Sequence, residues 1–290
     1  MFSGTFTAIV TPFKDGRVDE AAYKRLIRFG IDGGVSGFVP CGTTGESPTL
    51  SHEEHNRVVE LAVKEVAGEV MVIAGTGSNS TEEAVALTRH AEKVSADGAL
   101  LVSPYYNKPT QEGLYRHYST VAESVGIPLV IYNIQARTAV NIENSTMARL
   151  SQIPNIVGVK EASGSILQMS EVIRLCGQGF DVLSGDDQMT FPLMALGGKG
   201  VISVVTNIVP DRMSALVRYM LEGKIEEARA VHFEIYELCQ AMFVETNPIP
   251  VKAALGLMGK LTPEYRLPLC APSEANLEKL RTVLEKYGLL

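Results

Sequence analysis

Short apolar runs alternate with longer amphipathic stretches through the first 224 residues of the chain. Each run is rich in aliphatic and β-branched residues, which predicts a strand that is buried on both faces. Strands of this kind, each followed by a helix, are typical of a parallel sheet surrounded by helices. The eight predicted strands span residues 5–10, 37–41, 70–74, 98–103, 129–132, 156–160, 181–183 and 201–205.

Capping residues mark the helices between these runs, which we predict at residues 19–33, 51–66, 81–96 and 111–125. Ser51 with Glu54 forms a capping box, and Thr81 heads a helix with an acidic first turn. Glycines at 33–34, 68 and 197–198 suit helix C-caps. The pattern predicts an α/β fold, the (β/α)8 TIM barrel. A doubly wound open sheet is the alternative, but no GxGxxG follows the first strand.

The pattern becomes wholly helical after residue 205. Helices are predicted at 211–221, 225–243, 250–258 and 273–287, and only the first is needed to complete a barrel. We therefore predict a barrel over residues 1–224 and a C-terminal helical extension over residues 225–290 that packs on it. Neither a linker nor a repeat separates the two parts.

Composition excludes several classes of protein. The formal net charge of −7 argues against nucleic acid or an anionic membrane as a partner. No run approaches the ~20 apolar residues that a membrane span needs, and the amino terminus does not resemble a signal peptide. The four cysteines are dispersed and form no CxxC pair, which predicts reduced thiols in a cytoplasmic protein.

Lys160 closes an apolar strand, an unusual place for an amine because burial of its charge is unfavourable. Desolvation lowers the pKa of an amine, and a neutral amine is a nucleophile toward a carbonyl carbon. Lys160 is therefore a candidate for Schiff-base chemistry. The alternative is a lysine that extends to solvent at the barrel rim or pairs with Glu161.

Other polar residues end neighbouring strands, and the active sites of such barrels lie at the carboxyl ends of the strands. The glycine-flanked pair Thr43 and Thr44 presents successive amides that suit a carboxylate, although the same run also fits a simple tight turn. Tyr132 fits a general acid–base beside a reactive lysine, or an ordinary rim aromatic. Arg137 suits bidentate binding of a substrate carboxylate, or is a surface charge.

Three further motifs suggest ligands but favour simpler interpretations. His52 and His55 are spaced i, i+3 and open a helix, which does not match the HExxH of zinc hydrolases, so we predict no metal site there. Asp186 and Asp187 have no histidine at ligand spacing, and we predict a solvated strand-end turn. The glycine-rich run 197–200 precedes the last strand and is better explained as a helix C-cap than as a phosphate loop.

The chain resembles the dihydrodipicolinate synthase family, within the N-acetylneuraminate lyase superfamily, from Phe2 to Leu290. The run GTTGE at 42–46 marks the superfamily, and YYNKPTQEG at 105–113 marks the synthases. The remaining matches are YN at 132–133, RT at 137–138, VKEA at 159–162, SGDD at 184–187, GVIS at 200–203 and NPIPVK at 247–252.

The resemblance implies a class I lyase that condenses pyruvate with L-aspartate-4-semialdehyde to 4-hydroxy-tetrahydrodipicolinate, the first committed step of lysine and diaminopimelate biosynthesis. Lys160 would form the imine with pyruvate, and no metal or organic cofactor is needed. Thr44, Tyr132 and Tyr106 match a proton relay in which the last tyrosine comes from a neighbouring subunit of a homotetramer, a dimer of dimers. The implied substrate-binding residues are Thr43, Thr44, Arg137, Gly185 and Ile202.

The resemblance also implies feedback by L-lysine at a dimer interface. The residues that match this effector site are Ser47, Pro48, His52, His55, Asn79, Glu83 and Tyr105. Alternatively, His52, His55 and Glu83 are first-turn helix residues with no ligand.

One loop departs from the family pattern. Gln135 and Ala139 stand where the family has proline and glycine, and alanine adopts a positive φ with difficulty. Two other functions remain open. One is an aldolase of the same superfamily that cleaves 2-keto-3-deoxy sugar acids, and the other is a non-catalytic pyruvate-binding protein.

Overall fold

The computed structural model describes all 290 residues and contains a closed barrel of eight parallel strands. The first strand pairs with both the second and the eighth, so the sheet has no free edge. This confirms the predicted (β/α)8 barrel. The strands are β1 (Gly4–Ala8), β2 (Gly37–Val39), β3 (Met71–Gly75), β4 (Gly98–Val102), β5 (Leu129–Asn133), β6 (Ile156–Glu161), β7 (Asp181–Ser184) and β8 (Gly200–Ser203).

Helices surround the barrel and continue beyond it. A two-stranded antiparallel hairpin, Phe13–Lys14 with Arg17–Val18, separates β1 from the first helix. None of the helices is long and apolar enough to cross a membrane. The helices are α1 (Glu20–Asp32), α2 (His52–Val66), α3 (Thr81–Lys93), α4 (Gln111–Glu123), α5 (Gln135–Thr138), α6 (Asn144–Leu150), α7 (Ile166–Cys176), α8 (Thr190–Ala195), α9 (Pro210–Leu221), α10 (Ile225–Glu234), α11 (Tyr236–Ala241), α12 (Ile249–Leu257) and α13 (Glu274–Lys286).

Most predicted boundaries lie within a few residues of the observed ones, and the differences have local causes. The capping box of Ser51 and Glu54 is present, and α3 begins at Thr81 as predicted, with Ser80 as its N-cap. Left-handed glycines follow α1, α2 and α8 at Gly34, Gly68 and Gly197, as predicted. The helix predicted over 225–243 is wrong, because the chain forms α10 and α11 with a break at Ile235.

The apolar core has two parts. A cluster of 64 buried residues lies between the strands and the surrounding helices. A second cluster of 10 residues fills the interior of the barrel and includes Phe6, Leu100, Tyr132 and Ile202. Because side chains alternate along a strand, the register pairing of Tyr132 with Lys160 places both on the same, inner face of the sheet.

Candidate active site

Lys160 lies on the inner face of β6, near the carboxyl end of the barrel. Its side chain is only 6% exposed, and its Nζ lies 4.2 Å from the centroid of the Tyr132 ring. Gly185, at the end of β7, is required beside it, because a Cβ there would come within 3.1 Å of both Cγ and Cε of Lys160. Packing on both sides therefore fixes the direction of the lysine.

Burial lowers the pKa of Lys160 from 10.5 to about 7. The Asp187 carboxylate opposes this change, and the nearby Arg137 guanidinium adds to it. At pH 7 about half of such an amine is neutral, whereas a solvated lysine is almost wholly protonated. Burial therefore leaves a substantial fraction of the Lys160 amine uncharged at neutral pH.

Burial shifts the pKa of Tyr132 in the direction that keeps its hydroxyl protonated. Burial raises its pKa to about 12, while the Arg137 charge and a hydrogen bond with the Thr43 side chain act in the opposite direction. The phenol therefore keeps its proton at neutral pH and can donate it to a group beside Lys160.

The loop after β2 carries the threonine pair in a tight turn. The Gly45 amide donates to the Gly42 carbonyl at 3.1 Å, and the Glu46 amide donates to the Thr43 carbonyl at 3.1 Å. The backbone amides of Thr43 and Thr44 donate no hydrogen bond within the chain. The tight turn predicted from the sequence is therefore present, and it leaves two successive amides without a partner in the chain.

Arg137 lies on the single helical turn α5, between the site and the C-terminal part of the chain. Its Nη2 donates to the backbone carbonyl of Asn247 at 3.0 Å. Gln135 occupies the first position of α5, where proline is also tolerated, and Ala139 adopts a left-handed φ of 54°. The backbone thus keeps a glycine-like conformation although the residue is alanine.

The structure brings together only part of the predicted proton relay within one chain. Thr44 is buried and accepts a hydrogen bond from Asn247 rather than from Tyr132. Tyr106 is 89% exposed on the loop before α4. Ile202 is buried in the barrel interior.

A cavity of about 610 Å³ opens above the barrel mouth. It is lined by Thr43, Tyr132 and Arg137, and also by every residue of the predicted effector site: Ser47, Pro48, His52, His55, Asn79, Glu83 and Tyr105. Lys160, Thr44, Gly185 and Ile202 are not among its lining residues. Within a single chain the cavity therefore joins the predicted effector residues to Thr43, Tyr132 and Arg137.

The histidines in this cavity have partners other than a metal. His52 Nε2 lies 2.6 Å from a Glu83 carboxylate oxygen, and His55 Nε2 lies 2.8 Å from the Gly75 carbonyl oxygen. Asn79 Oδ1 accepts a hydrogen bond of 2.7 Å from the Tyr105 amide. No group of three His, Cys, Asp or Glu side chains is arranged to hold a metal ion.

The prediction of a solvated turn at Asp186 and Asp187 is wrong for Asp187, which is 3% exposed. Its Oδ2 accepts the amides of Val204 and Val205, at 3.2 and 2.9 Å, from the loop that follows β8. Burial raises the pKa of this carboxyl to about 6. Asp186 is partly exposed and caps the following turn through the Gln188 amide.

Two site residues were not found from the residue pattern. In the sequence, Asp187 cannot be distinguished from an ordinary acidic residue in a strand-end loop. Its burial depends on hydrogen bonds from backbone amides in the loop that follows β8. Asn247 lies about 200 residues from Thr44, yet its amide Nδ2 donates to Thr44 Oγ1 at 3.0 Å. Its only signal in the sequence is membership of the run NPIPVK at 247–252.

Comparisons with known proteins agree over the full chain. A family model described as the dihydrodipicolinate synthetase family matches residues 1–287. The 4-hydroxy-tetrahydrodipicolinate synthase of Syntrophus aciditrophicus (strain SB) is 59% identical over 290 residues, which is 100% of each chain. The crystal structure of dihydrodipicolinate synthase from Aquifex aeolicus is 52% identical, with a TM-score of 0.98 over 99% of each chain.

Solved relatives with ligands also superpose closely. The chloride-inhibited dihydrodipicolinate synthase from Acinetobacter baumannii, complexed with pyruvate, is 44% identical with a TM-score of 0.98 over 100% of each chain. The enzyme from Cyanidioschyzon merolae with lysine bound is 39% identical with a TM-score of 0.96 over 100% of this chain and 99% of that one. With its barrel, its buried lysine and these matches, the chain belongs to the dihydrodipicolinate synthetase family.

Proposed function

We propose that the chain condenses pyruvate with L-aspartate-4-semialdehyde to 4-hydroxy-tetrahydrodipicolinate, as a lyase of lysine and diaminopimelate biosynthesis. The observation that carries this function is the buried Lys160 amine against the Tyr132 ring, in a chain 59% identical over its full length to a synthase of that name. The full-length relatives favour this reaction over cleavage of 2-keto-3-deoxy sugar acids and over non-catalytic binding of pyruvate.

In this mechanism the neutral Lys160 amine attacks the carbonyl carbon of pyruvate and loses water to form an imine. Loss of a proton from the pyruvate methyl group then gives an enamine, whose carbon attacks the aldehyde of the second substrate while the aldehyde oxygen takes up a proton. The amino group of the same substrate then attacks the imine carbon, which closes the ring and releases the Lys160 amine. The protonated imine accepts the electron pair, so the reaction needs no other electron sink. Tyr132 exchanges protons with the reacting atoms because it is a buried phenol directly beside the amine.

Different groups bind the carboxylates of the two substrates. The free amides of Thr43 and Thr44 hold the carboxylate of pyruvate, with Gly185 beside the Lys160 side chain and Ile202 in the barrel interior below. Arg137 binds the carboxylate of the semialdehyde, and its guanidinium already lies close enough to lower the pKa of Lys160.

Borohydride reduction in the presence of pyruvate tests the imine. A stable added mass is expected on the peptide that carries Lys160, and Lys160→Ala should lose it together with turnover. Lys199→Ala, an exposed lysine before β8, serves as the matched control and should label like the wild type. Labelling of another lysine would refute the mechanism. A coupled assay with aspartate semialdehyde beside other aldehydes tests the substrate.

We infer that the chain works as a homotetramer built from dimers. Tyr106, the third relay residue, is 89% exposed and does not line the cavity that contains Thr43 and Tyr132, so a neighbouring subunit would supply it. An apolar patch on the packed helices α7, α8 and α10 suits the second interface, where Leu167 and Phe233 are 76% and 66% exposed. A fully active monomer in sedimentation experiments would contradict this assembly. A monomeric dihydrodipicolinate synthase variant that is 47% identical to this chain has been characterised. The sedimentation experiment is therefore needed to establish the oligomeric state of this chain.

We also propose that L-lysine inhibits the enzyme from the part of the cavity that lies beyond Thr43. Glu83 offers a carboxylate to an ammonium group, and the Asn79 and Tyr105 side chains can bind a carboxylate. Titration of millimolar lysine into the steady-state assay should lower the rate, and Glu83→Gln should raise the concentration that is needed. An unchanged rate without binding heat in calorimetry would refute the site.

A further inference from the structure

Asn247 joins two groups of the proposed site that lie far apart in sequence. The residue precedes α12, in the helical part after the barrel, and is 5% exposed. Its side-chain Nδ2 donates to Thr44 Oγ1 at 3.0 Å, and its backbone carbonyl accepts from Arg137 Nη2 at 3.0 Å. One residue therefore contacts a proposed proton-relay group and a proposed carboxylate-binding group.

The direction of the first hydrogen bond matters for the chemistry. A threonine hydroxyl has one hydrogen, and because Thr44 accepts from Asn247, that hydrogen remains free to be donated elsewhere. A residue with only an acceptor at the same place would instead draw the hydrogen toward itself and away from the substrate.

The amide of Asn247 makes one hydrogen bond, to Thr44. Its Oδ1 is buried and has no hydrogen-bond partner. A buried acceptor without a partner destabilises the folded state, and such groups in native structures commonly have a functional role. The single bond to Thr44 is thus the main interaction of this side chain.

The surroundings of Asn247 hold it in place. In α12 the Lys252 ammonium pairs with the Glu46 carboxylate of the threonine loop, and both side chains are fully buried. The Arg266 guanidinium binds the Thr49 carbonyl at 2.9 Å and the Glu54 carboxylate of α2 at 2.6 Å. The loop that carries Thr44 and the segment that carries Asn247 are therefore tied at several points.

We propose that Asn247 is a positioning residue, which orients the Thr44 hydroxyl as a proton donor to the reaction centre while its carbonyl holds the Arg137 guanidinium. This role rests on the proposed function, because it needs the imine on Lys160. Asn247 itself does not contact the reacting atoms. It acts through Thr44.

Exchange of the pyruvate methyl hydrogens in D2O, followed by NMR without the aldehyde, measures the proton transfer step alone. Asn247→Ala removes the bond to Thr44 but keeps the backbone carbonyl for Arg137. We expect exchange to slow by about 10- to 100-fold, less than the loss of a general acid–base group itself. The KM for the semialdehyde should change by less than about threefold, because the Arg137 contact is retained.

Borohydride trapping of pyruvate on Lys160 accompanies each measurement and should reach the wild-type extent. It separates the two hypotheses, since a wild-type enzyme that neither traps nor exchanges pyruvate would contradict the proposed function itself. If the Asn247→Ala variant does not fold, the same measurements are made on Asn247→Asp, because aspartate has nearly the same shape as asparagine. Its carboxylate accepts the Thr44 hydrogen, so exchange should slow in this variant as well.

A double-mutant cycle with Thr44→Val distinguishes positioning from a general structural effect. If Asn247 acts through Thr44, adding Asn247→Ala to Thr44→Val should slow exchange no further than Thr44→Val alone. Losses that multiply would overturn the proposal. Exchange within about twofold of wild type in the folded Asn247 variants would overturn it too.

Discussion

The lowered pKa of Lys160 predicts that removal of this amine stabilises the protein. The folded state holds the ammonium in a buried position, with a pKa of about 7, whereas in the unfolded chain it returns toward 10.5. Below pH 7 both states carry the charge, and the folded state bears the full desolvation penalty. Above pH 10.5 both are neutral and the penalty vanishes, so this group makes stability rise with pH between the two values.

The size of the effect follows from the same two values. At about 1.4 kcal/mol per pKa unit, the difference between 10.5 and about 7 corresponds to about 5 kcal/mol. Allowing for partial titration, the penalty is about 4 kcal/mol at pH 7 and about 2 kcal/mol at pH 9. Lys160→Met, which replaces the amine with an apolar chain of similar length, should raise the free energy of unfolding by these amounts while abolishing turnover.

Denaturant unfolding of wild type and variant at pH 7 and pH 9 checks this prediction. The decisive quantity is the change in the gain between the two pH values, because any packing difference of methionine is independent of pH. Lys64→Met, an exposed position on α2, should change stability little at either pH. A gain that does not shrink at pH 9, or a less stable variant, would refute the reasoning.

Three further predictions concern the same site. Tyr132→Phe should lower kcat by about 10²–10⁴-fold with little change in the KM for pyruvate, and a loss within about twofold in steady-state kinetics would exclude the acid–base role. Imine formation in stopped-flow experiments should rise through an apparent pKa near 7, since Lys160 must lose its proton first, and a midpoint near 10 would contradict its burial. Ala139→Gly should stabilise the folded protein by up to about 1 kcal/mol in thermal unfolding, because glycine adopts the left-handed φ of this position without strain. The control, Ala136→Gly within α5, should destabilise it by about 0.5–1 kcal/mol. Equal effects of the two substitutions would show that Ala139 is not strained.

Much of the barrel could be predicted because its signals are local. A strand buried on both faces is an apolar run wherever it occurs, and caps such as Ser51 act within one turn of their helix. The break between α10 and α11 at Ile235 could not be predicted from such local signals. Residues on both sides of it continue a helical pattern, so tertiary packing of α10 and α11 decides where the helix ends.

The site residues likewise differ in whether a local sequence signal identifies them. Lys160, Tyr132 and the threonine pair follow from one topological rule, that the carboxyl ends of barrel strands converge. Asp187 stands at such an end as well, but its burial depends on amides that the loop after β8 supplies. The rule does not identify Asn247, because this residue lies after the eighth strand and contacts Thr44 only through the packing of the segment before α12.

The two buried lysines show why burial alone does not identify a catalytic group. Lys252 is even less exposed than Lys160, and it too lies in an apolar stretch. Its ammonium is paired with Glu46, so Lys252→Met leaves a buried carboxylate uncompensated and should destabilise the fold by about 3–5 kcal/mol. Lys160 has no salt-bridge partner, which is why the same substitution there is expected to have the opposite sign. Denaturant unfolding of the two methionine variants at pH 7 compares them directly. A stabilised Lys252→Met would mean that the pair contributes less than its geometry indicates, whereas opposite signs would show that only the unpaired Lys160 amine is buried at a cost to stability.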